Sequence, residues 1–190
     1  MTRPPYQIEM TQSPIEFSAL VDILKQEQIK SFLEIGSRYG GTLWAIANTM
    51  PKGSRIVSVD PDMGQGSGKR GAAQSLRDCV EKLCEIGYDA HLIKKDSTQP
   101  ETVAEVAALG PFDAAFIDGN HEEAFVRADW ENYGPLSRVV AFHDVCWKHP
   151  NRPCAPVDVP KVWNELKEKY THKEFSDPAF NFGIGVLWRD

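Results

Sequence analysis

The sequence predicts an α/β fold, a doubly wound seven-stranded sheet that is mostly parallel, with one antiparallel strand near the C-terminus and helices on both faces. Three observations predict it. Short apolar runs alternate with helical patterns along the chain, as strand–helix–strand units require. One run, Phe32, Leu33 and Ile35, stops at Gly36 and the pair Gly40-Gly41 before a helical pattern opens at Thr42, which reads as strand, glycine turn and helix. The last two strand-like runs, His172 to Ser176 and Gly183 to Trp188, are linked closely enough to pair antiparallel, which inserts the final strand against the direction of the others.

Residues 1–12 lack periodicity and read as an arm, and residues 13–190 as one domain. Ser13-Pro14-Ile15-Glu16 supplies an N-cap, a proline in the first turn and a capping-box glutamate, and Phe17, Leu20, Val21 and Leu24 follow at helical spacing. After the glycine turn, Leu43, Trp44, Ile46 and Ala47 make a crossover helix closed by Met50-Pro51-Lys52-Gly53, and Arg55 to Asp60 is the second strand. Met63 to Gly71 is rich in glycine but lacks the order of a phosphate loop, so it reads as a mobile loop beside a site. Helices are expected over Ala72 to Ile86 and Thr102 to Leu109, with strands at Ala90 to Ile93 and Phe112 to Asp118. A fifth strand covers VVAFHD, and Asp158-Val159-Pro160 starts a helix carrying Val162, Trp163, Leu166 and Tyr170.

Composition narrows the function. A chain of 190 residues buries enough surface to fold without staples, and four scattered cysteines do not make a secreted disulfide scaffold. With no apolar signal segment or membrane-length run, the expected location is a reducing cytoplasm. A formal charge of −6 disfavours nucleic acid as a partner, local basic pairs at Lys69-Arg70 and Lys94-Lys95 notwithstanding. A small-molecule substrate is expected, and oligomeric state is left open, a homo-oligomer included.

The turn reads Glu34-x-Gly36-x-x-x-Gly40, unlike the G-x-G-x-x-G of a dinucleotide site. Glycines there allow positive φ and close approach of a ligand, and the N–H groups opening the next helix favour negative charge. Asp60 ends the second strand roughly 20 residues after Gly40, where a carboxylate can accept from ribose hydroxyls of S-adenosylmethionine (SAM) or NAD alike; capping the next turn is its plainer use.

The turn resembles motif I of the class I SAM-dependent methyltransferases. The stretch FDAAFIDGNHEEAFVRADWENYGPL followed by VVAFHD resembles, more specifically, the small-molecule O-methyltransferases related to macrolide-sugar methyltransferases and cephalosporin hydroxylase. Their pattern is D-G-x-H, a helix containing D, P-L, and a strand ending in H-D or E-D. The resemblance covers roughly residues 30–145 and implies a Rossmann-like sheet. It implies a cofactor site of Glu34, Gly36, Ser37, Gly40, Thr42, Asp60 and Asp118, with Asp96 and Ser97 at the adenine amino group. One departure is Pro135-Leu136-Ser137-Arg138 in place of the family's Gly-Gly, so that loop is expected to turn differently.

Ligands of open α/β sheets lie outside the carboxyl ends of the strands, where Gly36, Asp60, Asp96, Asp118 and Asp144 all fall. Methyl transfer to a hydroxyl needs a base or a Lewis acid beside it. Asp118 and Asp144, with His143 as a third ligand, could hold Mg²⁺ or another divalent cation; alternatively His121 or His143 is the general base, with Asp144 beside it. The aspartates can equally face the cofactor without metal, and each histidine can simply shape its loop. The run His143-x-x-Cys146-x-x-His149-x-x-x-x-Cys154 has zinc-type residues but no paired C-x-x-C, and reads as a loop over the substrate in which Trp147 stacks on it or anchors the loop. Two other readings stay open: a SAM-binding module without turnover, and an NAD-dependent oxidoreductase.

Overall fold

The computed structural model describes residues 10, 12–61, 72–147, 156–180 and 182–189. The glycine-rich Met63 to Gly71, the Lys69-Arg70 pair, His149, Cys154 and most of the expected N-terminal arm lie outside the described residues. Elements run α1 (Pro14–Gln26), β1 (Ser31–Ile35), α2 (Gly41–Ala47), β2 (Arg55–Val59), α3 (Ala72–Glu85), β3 (Asp89–Ile93), α4 (Pro100–Leu109) and β4 (Phe112–Ile117). They continue as α5 (Glu123–Tyr133), a 3₁₀ turn (Gly134–Leu136), β5 (Ser137–His143), α6 (Val159–Lys167), β6 (Thr171–Phe175) and β7 (Ile184–Trp188).

The strands form one seven-stranded sheet in the order β3-β2-β1-β4-β5-β7-β6. β7 pairs antiparallel with both β5 and β6, so it alone runs against the rest, as the short link before it predicted. Successive residues of the central strands face opposite sides, and each side is covered. Phe32, Ile56, Phe116 and Val139 pack with the apolar stripes of α1, α2 and α3, whereas Leu33, Val57, Val140 and Phe142 pack with those of α4, α5 and α6. Burying a side chain of that size is worth about 1.5–3 kcal/mol. These two layers thus hold the strand ends, and the loops on them, in fixed relation. No helix among the described residues is long and apolar enough to cross a membrane.

Of two local features, the first meets the expectation of a different turn and the second departs from expectation. The Pro135-Leu136 segment forms a 3₁₀ turn that runs directly into β5 at Ser137, so no glycine pair is needed there. Ser13 caps α1 by accepting from Ile15 N–H at 3.2 Å, but Glu16 does not close a capping box. Its buried Oε1 instead accepts from the backbone N–H groups of Asp177 and Gly183, at 2.7 and 3.0 Å, while the Ser13 hydroxyl donates to Asp177 Oδ2 at 2.7 Å. The start of α1 is thereby fastened to the β6–β7 loop.

Candidate functional site

β1 delivers the chain into the glycine turn. Gly36 has φ +87°, and a Cβ there would lie 2.2 Å from the carbonyl oxygen of Asp118, so only glycine lets the ends of β1 and β4 meet. Gly40 has φ +83°, and a Cβ there would come within 2.9 Å of Cys79 on α3. At both positions the space that glycine saves is taken by protein. Below the turn, Glu34 is 1% exposed, with Oε2 lacking a hydrogen-bond partner. Burial pushes its carboxyl up to about 8, against the pull of the Ser37 hydroxyl and with help from Asp118 and Asp60. Ser37 in turn receives a hydrogen bond from Ser58 of β2 at 2.7 Å. Thr42 is buried in the first turn of α2.

Asp60 stands just past β2 and accepts from the backbone N–H of Arg38 at 2.8 Å, which ties the end of β2 to the glycine turn. Arg38 is held there at φ +50°. One strand further, Asp96 accepts from the Thr98 N–H and hydroxyl at 2.9 and 2.7 Å, bonds that hold its carboxyl below the ordinary range. Ser97 is half-buried, and its carbonyl accepts from the Tyr133 hydroxyl at 2.5 Å.

On the other side of Gly36, four side chains meet. Asp118 follows β4, His121 lies three residues on, and His143 and Asp144 close β5. His121 bridges the carboxylates, with Nδ1 2.9 Å from Asp144 Oδ2 and Nε2 3.4 Å from Asp118 Oδ1. His143 Nδ1 lies 3.2 Å from Asp118 Oδ1 and 3.4 Å from Asp144 Oδ1. Both ring nitrogens of His143, with Asp144 Oδ1, are buried without an aligned hydrogen-bond partner, so the His143 contacts are ion-pair distances only. Asp144 is 2% exposed at φ +60°, a conformation unusual for a residue with a Cβ.

Charge follows from this packing. Burial opposes a proton on His121, but bonds and fields from Asp118 and Asp144 outweigh it and raise His121 to about 10. Burial likewise opposes charge on His143, and Asp118 and Asp144 again raise it. Burial would raise Asp118, yet His143 and His121 drive it well below the usual carboxylate range. Imidazolium and carboxylate therefore neutralise one another. Among the described residues no group of three or more histidine, cysteine, aspartate or glutamate side chains is disposed as a ready metal site.

Three residues beyond those expected border this crevice. Gln12, placed by its lack of periodicity in the arm, donates from Nε2 to Asp118 Oδ2 at 2.6 Å. Asp129 of α5 is 1% exposed, and burial pushes its carboxyl up to about 7, Ser97 pulling it down and Asp96 adding to the rise. Ser58 supports Ser37. Only Asp129 had a sequence signal, the aspartate within the helix that follows D-G-x-H. Trp147 stacks on Phe182, centroids 5.5 Å apart and planes 3° from parallel, and Phe182 lies 5.6 Å from the His143 ring.

Residues 33–145, more than half of the chain, match the methyltransferase domain family. The chain belongs to that family. Solved methyltransferase structures share the fold. The O-methyltransferase from Bacillus cereus, in complex with S-adenosylhomocysteine (SAH), is 18% identical with a TM-score of 0.68, covering 94% of this chain and 83% of that one. The O-methyltransferase TomG from Streptomyces achromogenes, involved in tomaymycin synthesis and bound to SAM, is 20% identical with a TM-score of 0.64 over 95% of this chain and 82% of its own. SAH-bound PaMTH1 from Podospora anserina is 19% identical with a TM-score of 0.64, covering 95% and 80%. At such identities the likeness is one of fold. Among curated protein sequences none matches.

Proposed function

We propose that this methyltransferase-family protein uses SAM to methylate a hydroxyl oxygen of a small molecule. The observation that carries the reading is the direct contact between two halves of one crevice: Gly36 of the glycine turn packs on the backbone of Asp118, which pairs with His121 and His143. Glu34, Gly36, Ser37, Gly40, Thr42, Asp60, Asp96, Ser97 and Asp118 make the cofactor side in this reading, and His121, His143 and Asp144 the acceptor side. The SAH and SAM held by the Bacillus and Streptomyces proteins of the same fold support that cofactor.

SAM supplies an electrophilic methyl group on a sulfonium that leaves as a neutral thioether. A hydroxyl at neutral pH attacks poorly unless a base takes its proton. Of the two histidines, His121 has both ring nitrogens committed to carboxylates and holds its proton, so it acts as a fixed charge that orients Asp118 and Asp144. His143 is the base once its resting proton, favoured by the same aspartates, has left: Nε2 is buried without a partner, and Asp118 beside Nδ1 stabilises the imidazolium that re-forms when the hydroxyl proton arrives. A divalent cation is the second form of this reading: the three side chains are not arranged as a ready site, but with His143 deprotonated, Asp118, Asp144 and His143 are the residues that would hold the cation, and it would supply Lewis acidity that lowers the pKa of the acceptor hydroxyl.

The test is a thermal shift with SAH and with NAD, each in Mg²⁺ and in EDTA. Ligand at a hundred times its dissociation constant adds ~2.7 kcal/mol of stability. Stabilisation by SAH alone supports the reading, and a further Mg²⁺-dependent rise supports the cation. A response to NAD instead, or none to SAH, overturns it. Turnover of SAM against diols, catechols and sugars separates an enzyme from a binding module.

A further inference from the structure

The inner face of α5 carries two polar side chains that the transfer chemistry does not use. Tyr133, fully buried, reaches across to the loop after β3 and donates its hydroxyl to the Ser97 carbonyl at 2.5 Å. Asp129, one turn earlier, is buried with neither carboxyl oxygen hydrogen-bonded. Ser97 is close enough to favour its ionised form, and its Oδ2 lies 3.5 Å from where a Cβ on Gly119 would stand. One buried helical turn thus touches both the loop that closes β3 and the turn that closes β4. A carboxyl placed without a cation or an aligned donor costs stability, so packing alone would favour an apolar side chain at this position.

We infer that Tyr133 and Asp129 are positioning residues for the base of the nucleoside cofactor, holding the Ser97 loop at a set distance from the Gly119 turn so that the loop can read adenine's amino group. This rests on the SAM reading above, in which Asp96 and Ser97 face the adenine. Neither residue is a catalytic group; each acts through the Ser97 loop. Asp96 is already engaged in its own turn with Thr98, so the spacing of that whole turn, rather than one free side chain, sets what the loop can recognise.

The experiment compares affinities for SAH and S-inosylhomocysteine, which carries a carbonyl in place of the amino group, by titration calorimetry. The unaltered protein prefers SAH. Tyr133→Phe, which removes one oxygen and keeps the ring, and Asp129→Ala each reduce that preference at least fivefold, mainly by weakening SAH. Asp129→Asn, which keeps shape and a polar partner for Ser97, retains it. Parallel weakening of both ligands at a constant ratio, or no change, would overturn the inference and leave α5 a packing element. If the unaltered protein fails to bind SAH, the cofactor reading falls first and this falls with it; if it binds SAH and the ratio is unmoved by both variants, this alone falls.

Discussion

The backbone N–H of Arg38 donates to the carboxylate of Asp60 at 2.8 Å, so the glycine turn after β1 and the acid after β2 are one unit. A carboxylate engaged in this way on one oxygen is oriented before ligand arrives. Asp60→Ala is expected to lower SAH affinity at least tenfold, about 1.4 kcal/mol, by loss of both the acceptor and the orientation of the turn. Gly36→Ala should be more severe, since its Cβ would lie 2.2 Å from a backbone oxygen that cannot move without shifting Asp118. Calorimetric titration with SAH checks both; unchanged affinity in Asp60→Ala would remove Asp60 from the site.

Glu16 shows how the N-terminal helix supports the His143 side of the crevice. Its buried carboxylate accepts two backbone N–H groups of the β6–β7 loop, which also bears Phe182 beside His143. Glu16→Ala leaves both donors without a partner and should destabilise the fold by about 2–4 kcal/mol. Glu16→Gln keeps an acceptor oxygen and should lose less than half of that. Urea unfolding monitored by tryptophan fluorescence measures the difference, and equal losses would show that the charge, rather than the acceptor, matters.

The seven strands and the antiparallel β7 were legible because apolar runs of strand length, and the short link before the last one, carry that information locally. The strand-end acids were legible for the same reason. What joins them was not. Gln12 meets Asp118 across 106 residues, and the two bonds of Glu16 cross more than 160, with no periodicity or spacing to announce them. Ser13-Pro14-Ile15-Glu16 carries the pattern of a capping box, yet the β6–β7 loop offers Glu16 two buried donors, and tertiary contact displaced the local bond. The two histidines stood as alternatives in the sequence; only the geometry gives His121 two carboxylates and leaves His143 Nε2 without a partner.

Two buried acids should make stability fall as pH rises between roughly pH 4 and pH 8. Burial raises Asp129 to about 7 and Glu34 to about 8, both above their values in the unfolded chain. An acid so raised contributes stability that is complete below its unfolded pKa and is lost as pH climbs through the folded one. The thermal midpoint is therefore expected to decline between roughly pH 4 and pH 8 on account of these two groups. Asp129→Asn removes one source, so it should flatten the decline and raise stability at pH 8.5 by up to ~4 kcal/mol, with little gain at pH 4. A variant that melts below the unaltered protein at pH 8.5 would contradict the assignment.

The division of labour between the histidines gives a last expectation, read in methyl transfer to whichever hydroxylated acceptor the turnover panel identifies. His143→Gln should abolish transfer, a loss of at least a hundredfold, because among the described residues no other unpartnered nitrogen stands beside Asp118; SAH affinity should stay within threefold. Asp144→Ala should likewise spare SAH binding and stop transfer, since it removes a carboxylate from both imidazoles. His121→Ala acts differently. It leaves Asp118 and Asp144 facing one another with only His143 between them, so the fold should lose about 3 kcal/mol or more before any effect on rate is considered. Because the aspartates raise His143, the unaltered enzyme should gain rate with pH across and beyond the ordinary histidine range, as the imidazole sheds its resting proton. Full activity in His143→Gln, with loss confined to His121→Ala at unchanged stability, would exchange the two roles.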